Sequence, residues 1–145
     1  MFGANAAGTA DINRSGLTEL NQFASPDGMS FDSRGVLWFE TDNGESTLTD
    51  YTNDQLLAVI PTNLVDASGK QVPVNAQNQV DLRRFFVGPN GCEVTGITFT
   101  PDNKTLFVNI QHPENWPYTD KATDATPAGT TVRPRAATVV ILSLI

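Results

Sequence analysis

Apolar and polar positions alternate along this chain in short bursts, with no sustained three-to-four spacing of the kind a long helix requires. The first burst runs from Phe23 to Asn43 as FASPDGMSFDSRGVLWFETDN. Ser25-Pro26-Asp27-Gly28 predicts a turn, because Pro fixes φ and Gly tolerates a positive one. A short strand over residues 29–31, a turn over 32–35 and a strand of buried type over 36–40 then make a β-hairpin. Leu17, Leu20 and Phe23 predict a short strand leading into it. Residues 1–16, rich in Gly, Ala and Asn, read as a loop or arm, and residues 17–145 as the folded domain.

Further along, residues 55–60 predict a strand, and residues 61–78 a polar surface insertion with a turn at 67–70. A strand over 81–87 would place Leu82, Arg84 and Phe86 on one face and Arg83 and Phe85 on the other. The second burst, from Pro89 to Pro113, is PNGCEVTGITFTPDNKTLFVNIQHP. It predicts a strand over 94–100 with Val94, Gly96 and Thr98 opposite Thr95, Ile97 and Phe99, a turn over 101–104 and a return strand over 105–110. A long polar loop over 111–135 follows, of a length that favours a functional or interface role. Residues 136–145 close the chain as an apolar strand.

The two bursts are versions of one unit. FDSRGVLWF and FTPDNKTLFV align with one extra residue in the second turn, and Phe31 and Phe99 hold matching places. A repeated antiparallel unit with Pro, Asp, Asn and Gly turns predicts an all-β fold. Its form is a partial β-propeller of about two blades, with long loop insertions. A small sandwich or barrel is the alternative. Open edges in such a piece would seek partners, as a homodimer or against missing upstream blades.

Charge narrows the partners. Lys and Arg number 9 against 16 Asp and Glu, a formal charge of -7, which argues against nucleic acid or an anionic membrane surface. The apolar stretch at 136–145 is too short to span a bilayer. Met1-Phe2-Gly3 has neither the basic start nor the apolar region of a signal peptide. A single cysteine rules out an internal disulfide framework.

Candidate chemistry gathers where the strands end. Glu93 lies between Cys92 and Val94 at a strand start, where a carboxylate is costly to bury unless it is paired or bound to metal. Cys92, without a second Cys or a His at ligand spacing, reads as a small core residue. His112 just beyond a strand offers a phosphate contact or simply a hydrogen-bonded loop residue. Asp27, Asp32, Glu40, Asp42, Asn43 and Glu45 give many oxygens around the first hairpin; Asp42 and Asn43 could contribute at a propeller's ligand-bearing end, while Asp27 and Asp32 read as turn formers. Arg83, Arg84, Arg133 and Arg135 could pair a phosphate or bridge the sheet. The chain carries no Gly-rich nucleotide loop, nucleophile elbow or zinc-hydrolase motif.

PDGMSFDSRGVLWFETDN, GCEVTGITFTPDNKTLFVNIQHP and RPRAATVVI resemble motifs in the C-terminal part of the PhoX-type alkaline phosphatases, from about Leu17 to Ile145. The resemblance implies a β-propeller phosphomonoesterase, periplasmic or extracellular, with calcium and iron in a buried cluster. It makes Glu93 the first candidate metal ligand, with Asp42 and Asn43 beside it and His112 as a substrate contact. The family's cysteine ligand lies in a Cys-Glu-Glu motif that this sequence lacks, so Cys92 does not inherit that role. Gly28 stands where the family commonly has Asn, and Glu114 where it commonly has Gly. From the missing motifs follows an expectation: a fragment resembling a metal-dependent phosphomonoester hydrolase, inactive alone because most metal ligands are absent. The alternatives are a non-enzymatic propeller segment that self-associates and a sugar- or lactone-related propeller.

Overall fold

The computed structural model describes residues 15–18, 20–42, 53–89, 91–113 and 136–142. Within them seven strands form two antiparallel sheets. The first comprises β1 (Pro26–Phe31), β2 (Leu37–Thr41), β3 (Gln55–Val59) and β4 (Leu82–Val87), hydrogen-bonded in that order. The second comprises β5 (Glu93–Phe99), β6 (Thr105–Gln111) and β7 (Ala137–Leu142), again in chain order. The architecture is all-β and unclosed, two blade-like sheets in a partial propeller-like arrangement. No helix among the described residues is long and apolar enough to cross a membrane.

Each hairpin turn falls where the sequence places it. Asp32 accepts backbone N–H bonds from Arg34 at 2.8 Å and Val36 at 3.1 Å, which closes the β1–β2 turn. Asp102 does the same for the β5–β6 turn, accepting from Thr100 Oγ1 at 2.6 Å and Lys104 N at 3.1 Å. Asn103 at the second turn also donates to Ser33 Oγ at the first, joining the two.

The sheets meet through one apolar seam. Trp38, Leu56 and Phe86 of the first sheet pack with Val94, Leu106, Val108 and Ile110 of the second, and Cys92 is buried among them. The far face of the first sheet presents Phe39, Leu57, Val59 and Leu82, covered by Leu17 and Phe23 before β1 and by Leu64 and Val74 after β3. Burying each such aliphatic side chain contributes about 1.5–3 kcal/mol. The segment from 61 to 78 is therefore a cover for the core, not the plain surface insertion its polarity suggests.

Three strands carry an extra residue that strict alternation cannot anticipate. In β1 the register shifts between Pro26 and Met29, so Asp27 and Gly28 lie inside a bulged strand where the sequence predicts a turn. In β4 the shift leaves Phe85 unmatched, and Leu82 and Phe86, expected on one face, serve opposite cores. In β5 the shift between Thr95 and Thr98 puts Val94 and Ile97 in the same core, against the predicted alternation. Leu17, Leu20 and Phe23 form no strand; Asn21 and Gln22 instead bond back to the Thr18 carbonyl, each at 2.9 Å. The predicted loop over 111–135 lies outside the described residues from 114 onward, as does most of the predicted N-terminal arm.

Candidate metal centre

The seam ends in a polar corner. Asp42 follows β2, Glu93 opens β5 and His112 follows β6, so one ligand-bearing residue comes from the first sheet and two from the second. One ligand atom from each lies within 4.8 Å of those of the other two. Asp42 is half-buried, Glu93 buried and His112 exposed.

Local structure fixes each group. The Asp42 N–H donates to the Ser25 carbonyl at 3.0 Å, holding the exit of β2 against the entry of β1. Glu93 faces Gln111 in the β5–β6 register and accepts from its Nε2 at 2.5 Å. His112 sits at φ 35, a left-handed conformation that turns its ring back toward β5. Its Nδ1 lies 3.2 Å from the Gly91 carbonyl and its Nε2 3.5 Å from Glu93 Oε2. A carbonyl can only accept, so Nδ1 carries a proton. In the neutral ring Nε2 then presents a lone pair toward a carboxylate, an arrangement that a shared cation or a second proton would reconcile.

Behind this corner lie two further carboxyl groups. Asp54 accepts from Thr41 Oγ1 at 2.6 Å, and Thr41 Oγ1 in turn accepts from the Gln55 N–H at 3.0 Å, a buried network bracing β2 against β3. Glu40 is 2% exposed. Its carboxylate accepts backbone N–H bonds from Ile97 and Gly96 at the β5 bulge, yet Oε1 has no hydrogen-bond partner. Burial pushes its pKa up to about 7; the N–H of Ile97 opposes that rise, and the negative charges of Asp27 and Glu93 add to it. The sequence placed Glu40 among the oxygens around the first hairpin but gave it no role of its own. The available signal was a carboxylate inside the apolar run VLWFET, two positions from Trp38 and from Asp42.

The remaining candidates separate. Cys92 is buried and its thiol is pushed up to about 12, chiefly by burial, which suits a core residue. Arg84 donates to Gln55 Oε1 at 2.6 Å and to the Gln22 carbonyl at 3.2 Å, on the far side of the first sheet. Asp32 serves its turn. Asn43, Glu45, Glu114, Arg133 and Arg135 lie outside the described residues. One expectation is overturned. A fragment deprived of most of its ligands, or a non-enzymatic segment, is not what the two sheets build, because Asp42, Glu93 and His112 form a clustered ligand group within this chain.

Comparison with known proteins gives the same direction. The chain matches the family model "Alkaline phosphatase PhoX" over residues 1–114. It is similar to the solved structure of Pseudomonas fluorescens PhoX in complex with vanadate, a transition state analogue, at 40% identity and a TM-score of 0.58. That likeness covers 87% of this chain and 19% of the Pseudomonas protein, so the chain spans about a fifth of its relative's length. A search of curated proteins gave no match. A family match over most of its length, joined to a ligand group at the seam of two blade-like sheets, places this chain in the PhoX alkaline phosphatase family.

Proposed function

We propose that this chain supplies one wall of a metal-dependent phosphomonoester hydrolase centre, with Asp42, Glu93 and His112 as ligands. The observation that carries the reading is their convergence from two sheets, with ligand atoms within 4.8 Å of one another. Two carboxylates and an imidazole suit iron, and carboxylate oxygens also suit calcium. Asn43, adjacent to Asp42, is a further candidate oxygen donor, and the exposure of His112 supports it as a candidate contact for a substrate phosphate.

When bound, such a cation supplies positive charge to the phosphoryl oxygens as charge shifts during transfer. The chain's own residues do the holding. Gln111 fixes one Glu93 oxygen, Gly91 fixes the His112 tautomer, and Ser25 fixes the strand exit before Asp42. The relative's structure holds vanadate, a transition state analogue, which supports a phosphate ester as substrate here. Membership of this family accords with a periplasmic or secreted setting for the whole protein.

Elemental analysis of the chain after loading with ferric citrate and desalting tests the ligand set. Wild type retains iron, while Glu93→Gln and His112→Ala each lower retention by about tenfold. Equal retention by wild type and both variants would remove the reading. In the whole protein, the equivalent of Glu93→Gln lowers kcat on p-nitrophenyl phosphate by about a hundredfold. Its circular dichroism stays unchanged.

A further inference from the structure

The two sheets differ at one rung beside the ligand corner. Backbone pairing of β2 with β3 stops at Glu40 and Leu56. Thr41 and Gln55 would form the next rung. Instead Thr41 pairs with Pro26 of β1, and Gln55 pairs with Val87 of β4. The adjoining backbone follows the same division. The Asp42 N–H donates to the Ser25 carbonyl at 3.0 Å, and the Gly88 N–H donates to the Asp54 carbonyl at 2.7 Å. The first sheet therefore parts between β2 and β3 just where Asp42 leaves it.

Side chains close this parting. Thr41 Oγ1 donates to Asp54 Oδ1 at 2.6 Å and accepts the Gln55 N–H at 3.0 Å. All three residues are buried, where a short O–H bond to a carboxylate is among the strong ones. The second sheet does without such a link. Aligned across the one extra residue in its turn, Thr41 matches Ile110, and Ile110 pairs with Ala137 as an ordinary backbone rung. Its neighbour, Asn109 with Thr138, is backbone-paired too and adds a bond from Thr138 Oγ1 to Asn109 Oδ1 at 2.8 Å. The repeated unit can thus hold its second and third strands by the backbone alone. Among the described residues the Thr–Asp link occurs in the sheet whose second strand runs directly into a carboxylate of the ligand group.

We infer that Thr41 and Asp54 are positioning residues for Asp42. Their buried link sets the width of the parting between β2 and β3, and thereby where the Asp42 carboxylate stands relative to Glu93 and His112. Neither side chain belongs to the ligand group. They act through Asp42, which loses less freedom on taking up a cation when its backbone is held in advance. The inference rests on the metal-centre reading above and adds to it the device that presets its first-sheet limb.

Iron retention after loading with ferric citrate and desalting tests it, with circular dichroism to confirm that each variant is folded. Thr41→Val, which keeps the shape and removes the hydroxyl, lowers retention by about tenfold. Asp54→Ala does the same from the other end, so the test does not hang on one variant folding. Combining the two lowers retention no further, because each removes the same link. Thr41→Ser restores the hydroxyl and retains iron as wild type does. Gly35→Ala, which strains the far turn at φ 80, lowers the melting temperature and leaves retention unchanged. Wild-type retention in Thr41→Val and Asp54→Ala overturns the inference. So does a loss in Thr41→Ser or Gly35→Ala equal to that in Thr41→Val. A wild type that holds no iron, or retention that ignores Glu93→Gln, overturns the metal-centre reading and the inference with it.

Discussion

Asp32 shows how one side chain can define a turn. It accepts the Arg34 and Val36 N–H groups, the Trp38 indole N–H at 3.1 Å and the Arg34 guanidinium at 2.7 Å. Burial by itself would raise its pKa, but the bonds from Arg34, Trp38 and Val36 together bring it below the usual 3.8. A lowered folded pKa means that this stabilisation is complete above the unfolded value and is lost as pH falls through the folded one. Thermal melts between pH 5 and pH 2, about the span of this loss, should show a steeper decline for wild type than for Asp32→Asn. Asp32→Ala should cost about 3 kcal/mol in chemical denaturation, since the Trp38 N–H loses its acceptor inside the seam. Asp32 was legible as a turn former because its partners lie within six residues. Glu93 was legible as a candidate because a carboxylate in an apolar strand is conspicuous. Glu40 was equally conspicuous in composition, but its burial depends on a strand more than fifty residues away, and no local pattern reports that.

At the scale of the element, the bulges matter more than the strands. Strand positions followed from apolar runs and turn residues, and every predicted strand from β2 to β6 appears within a residue or two of its expected bounds, while β7 starts one residue after its expected start. Facing did not follow, because one extra residue reverses every side chain beyond it. Leu82 and Phe86 part company for this reason, and Val94 and Ile97 come together. Two glycine substitutions separate backbone strain from crowding. Gly35 has φ 80 with nothing within 4 Å of an added Cβ, whereas Gly96 has φ 65 and the Asn109 amide 2.3 Å away. Gly35→Ala should therefore cost about 1 kcal/mol. Gly96→Ala should cost about 2–3 kcal/mol as Asn109 is driven off Thr138. Equal melting shifts for the two would show that the Asn109 contact carries no energy.

Across the whole molecule, the two sheets are closed unequally. The first has its seam on one face and the cover from residues 15–24 and 60–78 on the other. Among the described residues the second is covered only at the seam, and on its other face Val140 is 51% exposed and Leu142 65%. The seam is thus the structural spine, and the ligand corner sits at its end, so anything that parts the sheets also disperses Asp42 from Glu93 and His112. Cys92 lies inside that seam, where a Cβ on Gly88 would meet its sulfur at 2.3 Å. A thiol that is buried and pushed up to about 12 reacts with neither maleimide nor disulfide reagents while the sheets stay together. The chain thereby contains its own clock. At pH 8 the rate of Cys92 labelling should equal the rate at which the two blades open. Reagent concentration should cease to matter once capture is fast, and bound cation should slow labelling in step with the stability it confers. A labelling rate that tracks reagent concentration throughout would mean that the sheets reclose faster than Cys92 is captured, so that labelling reports the fraction open instead of the opening rate.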